Sequence, residues 1–145
     1  MSLPNSSAQA AVSQDKTHDC EAAGEAVMEL IRRGIRPRAI MTRKAFENAI
    51  VVNAAIGGST NFVIHLLAIA GRIGVDLDLK DFDHLSANIP LIANLQPSGK
   101  YFMEDFYYAG GLPAVMKALH DKLHHGSLTV TGKPLREHYT DARIW

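Results

Sequence analysis

Cysteine is nearly absent from this chain: Cys20 stands alone among 145 residues. A single thiol forms no internal disulfide and cannot hold an iron–sulfur cluster by itself. A reducing cytoplasm is therefore the expected compartment. Charge of one sign is also missing, since 15 Lys and Arg balance 15 Asp and Glu. Neutrality gives no electrostatic reason to expect nucleic acid or an anionic membrane as a partner. No window approaches the ~18 uninterrupted apolar residues of a membrane span. The first residues lack the basic and apolar regions of a signal peptide, and Pro4, Asn5, Ser6 and Ser7 read as a loop. There is no Ser-His-Asp set, no nucleotide-binding glycine fingerprint and no zinc spacing. Repeats, low-complexity segments and domain linkers are lacking too. Chemistry alone does not declare an enzyme.

What is present is an ordinary globular composition, 47% hydrophobic and 21% charged, long enough for one domain with a core. Its most informative stretch is Gly57, Gly58, Ser59, Thr60 and Asn61. Glycine tolerates the left-handed backbone that ends a helix. Ser, Thr and Asn are the preferred residues for starting one. Such a junction exposes backbone N–H groups at the positive end of a helix, which suits a carboxylate, a phosphate or an anionic cluster. The plainer reading is a helix–helix joint and nothing more.

Around this junction the pattern is mainly helical. A helix is predicted over 14–33, capped by Ser13, with Ala23, Ala26, Val27, Leu30 and Ile31 in its apolar stripe. Gly34 ends it and Pro37 prevents its resumption. Thr42 caps a second helix through residue 56, with Phe46, Ala49, Ile50 and the polar Asn53 on one face. Asn53 needs a partner there. A third helix over 60–73, stopped by Gly74, is apolar nearly all round and is expected to be buried on most sides. The helices before it do not supply enough cover, so further structure is expected to pack on it. Asp78 caps a short helix through 85. Segments 89–95 and 127–131 read as short buried strands, and 96–99 as a turn. An aromatic-rich helix is predicted over 100–109, broken by Gly110 and Gly111. Pro113 opens the next, through 123, and Pro134 opens a last short one. The expected class is α/β: mostly helical, with a few short strands, part of a layered domain.

Several constellations have plain explanations. Asp76, Asp78, Asp81 and Asp83 suggest a calcium loop, but its sixth and twelfth positions hold Asp81 and Ala87 instead of Gly and Glu. A solvated helix start fits better. His120 and His124 have metal-ligand spacing, yet no third ligand is evident, and the end of a helix is a favourable place for partial positive charge. His65 lies one turn inside the glycine junction and could orient a loop or ligand, although a satisfied core histidine is the commoner case. Lys100, after Ser98 and Gly99 at the head of a predicted helix, could contact an anion, although most lysines there are simply solvated. Glu104 and Asp105 are adjacent and point apart on a helix. Cys20 reads as structural.

The order of motifs says more. Ser2-Leu3-Pro4 is followed by Met41-Thr42-Arg43-Lys44-Ala45-Phe46-Glu47-Asn48-Ala49-Ile50, then by Gly57-Gly58-Ser59-Thr60-Asn61 with His65-Leu66-Leu67-Ala68-Ile69-Ala70. Pro97-Ser98-Gly99-Lys100-Tyr101, Met103-Glu104-Asp105-Phe106, Gly110-Gly111-Leu112-Pro113-Ala114-Val115 and Leu128-Thr129-Val130-Thr131-Gly132-Lys133 come next. In this order they resemble the dihydroxyacid and phosphogluconate dehydratase family (IlvD/Edd), over nearly the whole chain. Pro134 departs from the family's usual Thr.

The resemblance implies that residues 1–145 are one partial domain, an internal segment of a longer dehydratase's N-terminal α/β domain. Family members carry an iron–sulfur cluster and Mg²⁺, with cluster cysteines and magnesium ligands upstream of this segment and a proposed catalytic serine downstream. Cys20 does not match a cluster cysteine. The implied reaction removes water from a 2,3-dihydroxy carboxylic acid: a base takes the C2 proton, a Lewis acid assists loss of the C3 hydroxyl, and the enol becomes a 2-keto acid. The implied partners are a small hydroxy-acid substrate and further copies in a homo-oligomer, with no nucleic acid and no membrane. No catalytic residue or metal ligand is expected in this segment. Gly57, Gly58, Ser59, Thr60, Asn61, His65, Ser98, Gly99 and Lys100 are expected near substrate or cluster. The aromatic run from Phe102 to Tyr108 looks more like the sugar-acid branch, a short aldonate such as a pentonate, with the branched-chain dihydroxy acid as the alternative. Two further readings stay open: a non-catalytic anion-binding domain, and a module that assembles with a separate chain.

Overall fold

A computed structural model describes residues 2–144. Its elements run in the order α1 (Asp15–Arg32), α2 (Pro37–Ile40), α3 (Arg43–Ala55), α4 (Thr60–Ile73), α5 (Leu79–Ser86), α6 (Met103–Tyr108) and α7 (Gly111–Ala118), with 3₁₀ turns at Ser6–Ala8, His120–Lys122 and Leu135–His138.

Local signals place most of these helices. Thr42 Oγ1 accepts the Ala45 N–H and caps α3 as expected, whereas the N-cap of α1 is Gln14, one residue after the expected Ser13, whose Oγ accepts the Asp15 N–H. Asp78 and Asp81 form a reciprocal capping box at α5. The aspartate-rich stretch thus serves a helix start. Gly74, at φ +77°, terminates α4. Pro37 starts a single helical turn rather than only blocking one, because proline suits the first helical position.

α3 is the axis of the fold. One side packs Val51 and Ala55 against Phe106, Val115, Leu119, Leu123 and Tyr139. The other packs Phe46 and Ile50 against Leu66 and Ala70 of α4, with Phe82 and Leu85 of α5 beside them. Asn48, the buried polar residue of α3, donates to the His124 carbonyl and Ser127 Oγ, and accepts the His124 N–H at 2.7 Å. Asn53, expected to need a partner on this face, is half-buried with its side chain against Gly58.

Three expectations need correction. The expected strands form no sheet among the described residues. Only isolated bridges join Leu95 to Tyr101 and Leu128 to Pro134. Segment 89–95 gives its Ile92 and Ala93 N–H groups to the Ala55 carbonyl at the end of α3, which leaves no ladder to build. Residues 127–135 close a tight turn instead, and Pro134 has no N–H with which to extend it. Second, α4 is covered on one side only: Leu66 and Ala70 are buried, while Ile64 is 65% exposed. Third, α1 buries none of its residues, and its stripe residues Val27 and Ile31 are exposed. Cys20 on α1 is exposed as well, so it has no structural role in the core. These uncovered faces fit the expectation that further structure packs on this segment.

Candidate functional site

α3 ends at Ala55, and Gly57 at φ +64° turns the chain in the left-handed region. The Gly58 N–H returns to the Asn53 carbonyl at 2.9 Å and the Gly57 N–H to that of Ala54 at 3.2 Å, tying off the helix end. A Cβ on Gly58 would meet the end of the Asn53 side chain, which would have to turn aside. Ser59 is the extended N-cap of α4, but its hydroxyl makes no capping bond. Gly57, Gly58, Ser59, Thr60 and Asn61 are all exposed. The Phe62 N–H bonds back to the Ser59 carbonyl, and the exposed Thr60 and Asn61 carry the preceding N–H groups at this positive helix end. His65, one turn on, is exposed rather than a core histidine.

The second group lies on a self-tied loop. The Asn94 carbonyl accepts the N–H groups of Lys100 and Tyr101, Asn94 Oδ1 also accepts from Lys100, and the Gly99 N–H donates to Leu95 at 2.7 Å. Backbone of Asn94 and Leu95 fills the space a Gly99 side chain would need. The Gln96–Pro97 peptide is cis. Lys100 does not head a helix: α6 starts three residues later, where Asp105 accepts the Phe102 N–H. Its ammonium instead sits 5.4 Å from the centre of the Tyr101 ring.

Extended segment 91–93 links the two groups. Leu91 packs against Gly57, and Ile92 and Ala93 bond to the end of α3, just before the loop that carries Ser98, Gly99 and Lys100. No hydrogen bond joins one group directly to the other among the described residues. Beside this segment, Ile92, Leu95, Tyr101, Phe106, Val115 and Ile144 line an apolar cavity of about 520 Å³. None of the expected site residues lines it.

Among the described residues, no group of three or more His, Cys, Asp or Glu could hold a metal ion. His120 and His124 do not share a helix, since α7 ends at Ala118. His124 Nε2 pairs with Glu47 at 2.7 Å. Burial would raise the Glu47 pKa, but hydrogen bonds from Arg43 and His124 outweigh it and hold it below the usual range. Arg43 continues the chain to Asp81, whose pKa it lowers to about 2. The buried Asn48, this ion chain and the Tyr139 hydroxyl between two histidines escape sequence reasoning. Apart from Arg43 and Glu47, four apart on α3, their partners lie far along the chain, so spacing carries no signal of them.

The sequence model of the dihydroxy-acid/6-phosphogluconate dehydratase N-terminal family matches residues 1–138. The chain belongs to that family. A dihydroxy-acid dehydratase of Chromohalobacter salexigens is 55% identical over 143 residues, 97% of this chain and 25% of the relative. The dihydroxy-acid dehydratase 2 of Staphylococcus saprophyticus is 55% identical over 139 residues, 94% of this chain and 25% of its own length. An L-arabinonate dehydratase of Rhizobium leguminosarum bv. trifolii is 47% identical over 147 residues, all of this chain and 25% of the relative. The chain thus spans about a quarter of these dehydratases. No helix among the described residues is long and apolar enough to cross a membrane.

Proposed function

We propose that this chain is a segment of a hydro-lyase that dehydrates a 2,3-dihydroxy carboxylic acid to a 2-keto acid, and that it is inactive alone. The observation that carries this reading is its similarity, over nearly its whole length, to relatives named as dehydratases. Proton-transfer residues and the iron–sulfur and Mg²⁺ ligands belong to other parts of the longer protein. The contribution of this segment is positional. The α4 N-terminus offers the backbone N–H groups of Thr60 and Asn61, together with the uncapped Ser59 hydroxyl and the Asn61 side-chain amide, to an anion, either the substrate carboxylate or the cluster edge. Gly57 and Gly58 let the chain turn tightly enough to present them. Lys100 supplies a second positive group at the far end of segment 91–93. The working enzyme is a cytoplasmic homo-oligomer.

A branched-chain dihydroxy acid is the favoured substrate, because dihydroxy-acid dehydratases stand among the relatives at 55% identity. The sugar-acid reading is the second, supported by the L-arabinonate dehydratase at 47%. The test replaces the matching quarter of the Chromohalobacter salexigens enzyme with this chain and follows 2-keto acid formation. Turnover of the branched acid supports the first reading, and a switch to arabinonate the second. A folded chimera that retains its cluster but turns over neither acid would overturn both. Saturable binding of either acid by the segment alone would favour an anion-binding domain instead.

A further inference from the structure

A second cavity, of about 260 Å³, lies between α3, α7, residues 127–130 and the segment Leu3–Asn5. None of the residues expected near substrate or cluster lines it. Among the described residues its lining holds no Lys, Arg, Asp or Glu, and His138 is its one titratable side chain. Burial, helped by Lys133 and opposed by Glu137, lowers the His138 pKa, so the imidazole is neutral at about pH 7.

The hydrogens around His138 follow from its neighbours. Thr129 Oγ1 donates to the Lys133 carbonyl at 2.9 Å, and lies 3.0 Å from Thr131 Oγ1 and 2.9 Å from His138 Nε2. Thr131 Oγ1 is 2.8 Å from the same nitrogen. A bare Nε2 would leave its contact with Thr129 without a hydrogen, because that of Thr129 is already spent. With the hydrogen on Nε2, the ring donates to the two hydroxyls and Thr131 donates to Thr129, so every contact is satisfied. Neutral His138 therefore carries its lone pair on Nδ1. Among the described residues no hydrogen bond reaches Nδ1, and no buried polar side-chain atom lacks a partner, so Nδ1 is accessible.

Two donors on the same cavity are unspent. Asn48 donates to Ser127 Oγ at 3.3 Å, which leaves the Ser127 hydrogen without an acceptor among the described residues. Asn5 Oδ1 accepts the Leu112 N–H at 3.2 Å, which ties the Leu3–Asn5 wall to α7 and leaves Asn5 Nδ2 over. An uncharged, mainly apolar lining with one bare acceptor and free donors matches a neutral molecule that carries a hydroxyl on a hydrocarbon body. A hydroxyl donates and accepts at one atom. A carboxylate would enter without a cation to meet it. Since a cavity of about 150 Å³ holds benzene, this one has room for about six to eight non-hydrogen atoms. We propose that this cavity is a binding site for a short branched alcohol. Its hydroxyl donates to His138 Nδ1 and accepts from Ser127, and its alkyl end packs on Ala49, Val52 and Met116.

An NMR titration of this chain with isoamyl alcohol tests the site. The His138 ring and the methyl groups of Val52 and Met116 should shift along one saturable curve, half-complete at about 1 mM. Isoamyl methyl ether, which accepts but cannot donate, should bind at least about fivefold more weakly. Isovalerate, charged at neutral pH, should bind at least about tenfold more weakly. His138→Phe removes the acceptor and Ala49→Leu fills the cavity. Each should raise the half-saturation point at least about fivefold, and they are made separately so that one folded variant suffices. Shifts that grow in proportion to the alcohol without saturating overturn the site. So does ether or carboxylate binding as tight as that of the alcohol, or parental affinity in a folded variant.

Discussion

The Ile92 N–H donates to the Ala55 carbonyl at 2.7 Å, and Ala55 is the last residue of α3. A helix leaves its final carbonyls without internal partners, and here an extended segment 37 positions away supplies one. This contact sets the glycine junction beside the segment that leads to Ser98, Gly99 and Lys100. Replacing Ile92 with proline removes the donor. The Ala93 N–H at 3.2 Å would still reach the same carbonyl. The expected cost is therefore about 1 kcal/mol rather than the full penalty for a buried orphan. Urea denaturation measures it, and an unchanged midpoint would show that the contact does not hold the segment.

Asn48 calls for a larger effect. Its amide meets both the N–H and the carbonyl of His124 across 76 positions of sequence. Asn48→Ala leaves both backbone groups without this partner in a part-buried place and opens a gap beside α3, at a cost of about 2 kcal/mol. Asn48→Asp keeps the acceptor for the His124 N–H but loses the donor to its carbonyl, so it should fall between. Thermal and urea unfolding of the three proteins check the order. Equal stability of Asn48→Ala and the parent would mean that His124 finds other partners.

How much of the fold is legible in the sequence depends on the range of each signal. Although the Ser59 hydroxyl makes no capping bond, the start of α4 falls at Thr60, where the pattern places it, and its end is set by Gly74, a local signal. The same holds for the capping residues Thr42 and Asp78. Segment 89–95 reads as a strand because apolar extended residues look alike whether they pair with a strand or a helix end. Lys100 reads as helical because aromatics at helical spacing continue back to it. The Asn94 turn, set by a side chain six positions earlier, holds it off. In the candidate site, the glycine junction is legible from residue types. Its separation from the apolar cavity is not, since that depends on where Ile144 returns in space.

Arg43 and Asp81 make stability depend on acid. Hydrogen bonds from Arg43 lower the Asp81 pKa from an ordinary 3.8 to about 2. A carboxylate with a folded pKa below its unfolded one stabilises fully above the unfolded value and loses that contribution as pH falls through the folded one. The loss therefore runs from about pH 4 down to about pH 2. Arg43 is 40% exposed, so solvent screening limits the contribution to about 1 kcal/mol. Asp81→Asn should lose this amount at neutral pH. Its stability should converge with that of the parent as pH approaches 2. Parallel curves over that window would remove Asp81 as the titrating group.

Ser59 and Asn61 separate function from folding. An N-cap serine normally stabilises its helix by about 1 kcal/mol through a bond to the first turn. The Ser59 hydroxyl makes no such bond, and both residues are exposed. Ser59→Ala and Asn61→Ala should therefore change the stability of this chain by less than about 0.5 kcal/mol. Placed in the chimeric dehydratase, the same substitutions should lower turnover or cluster content at least about tenfold, equivalent to 1.4 kcal/mol of lost interaction with an anionic group. That contrast is what a positioning role at the α4 N-terminus requires. If stability and turnover fall together, the residues serve the helix. If neither moves, these two side chains do not touch the anion, and only the backbone N–H groups of the junction are left to hold it.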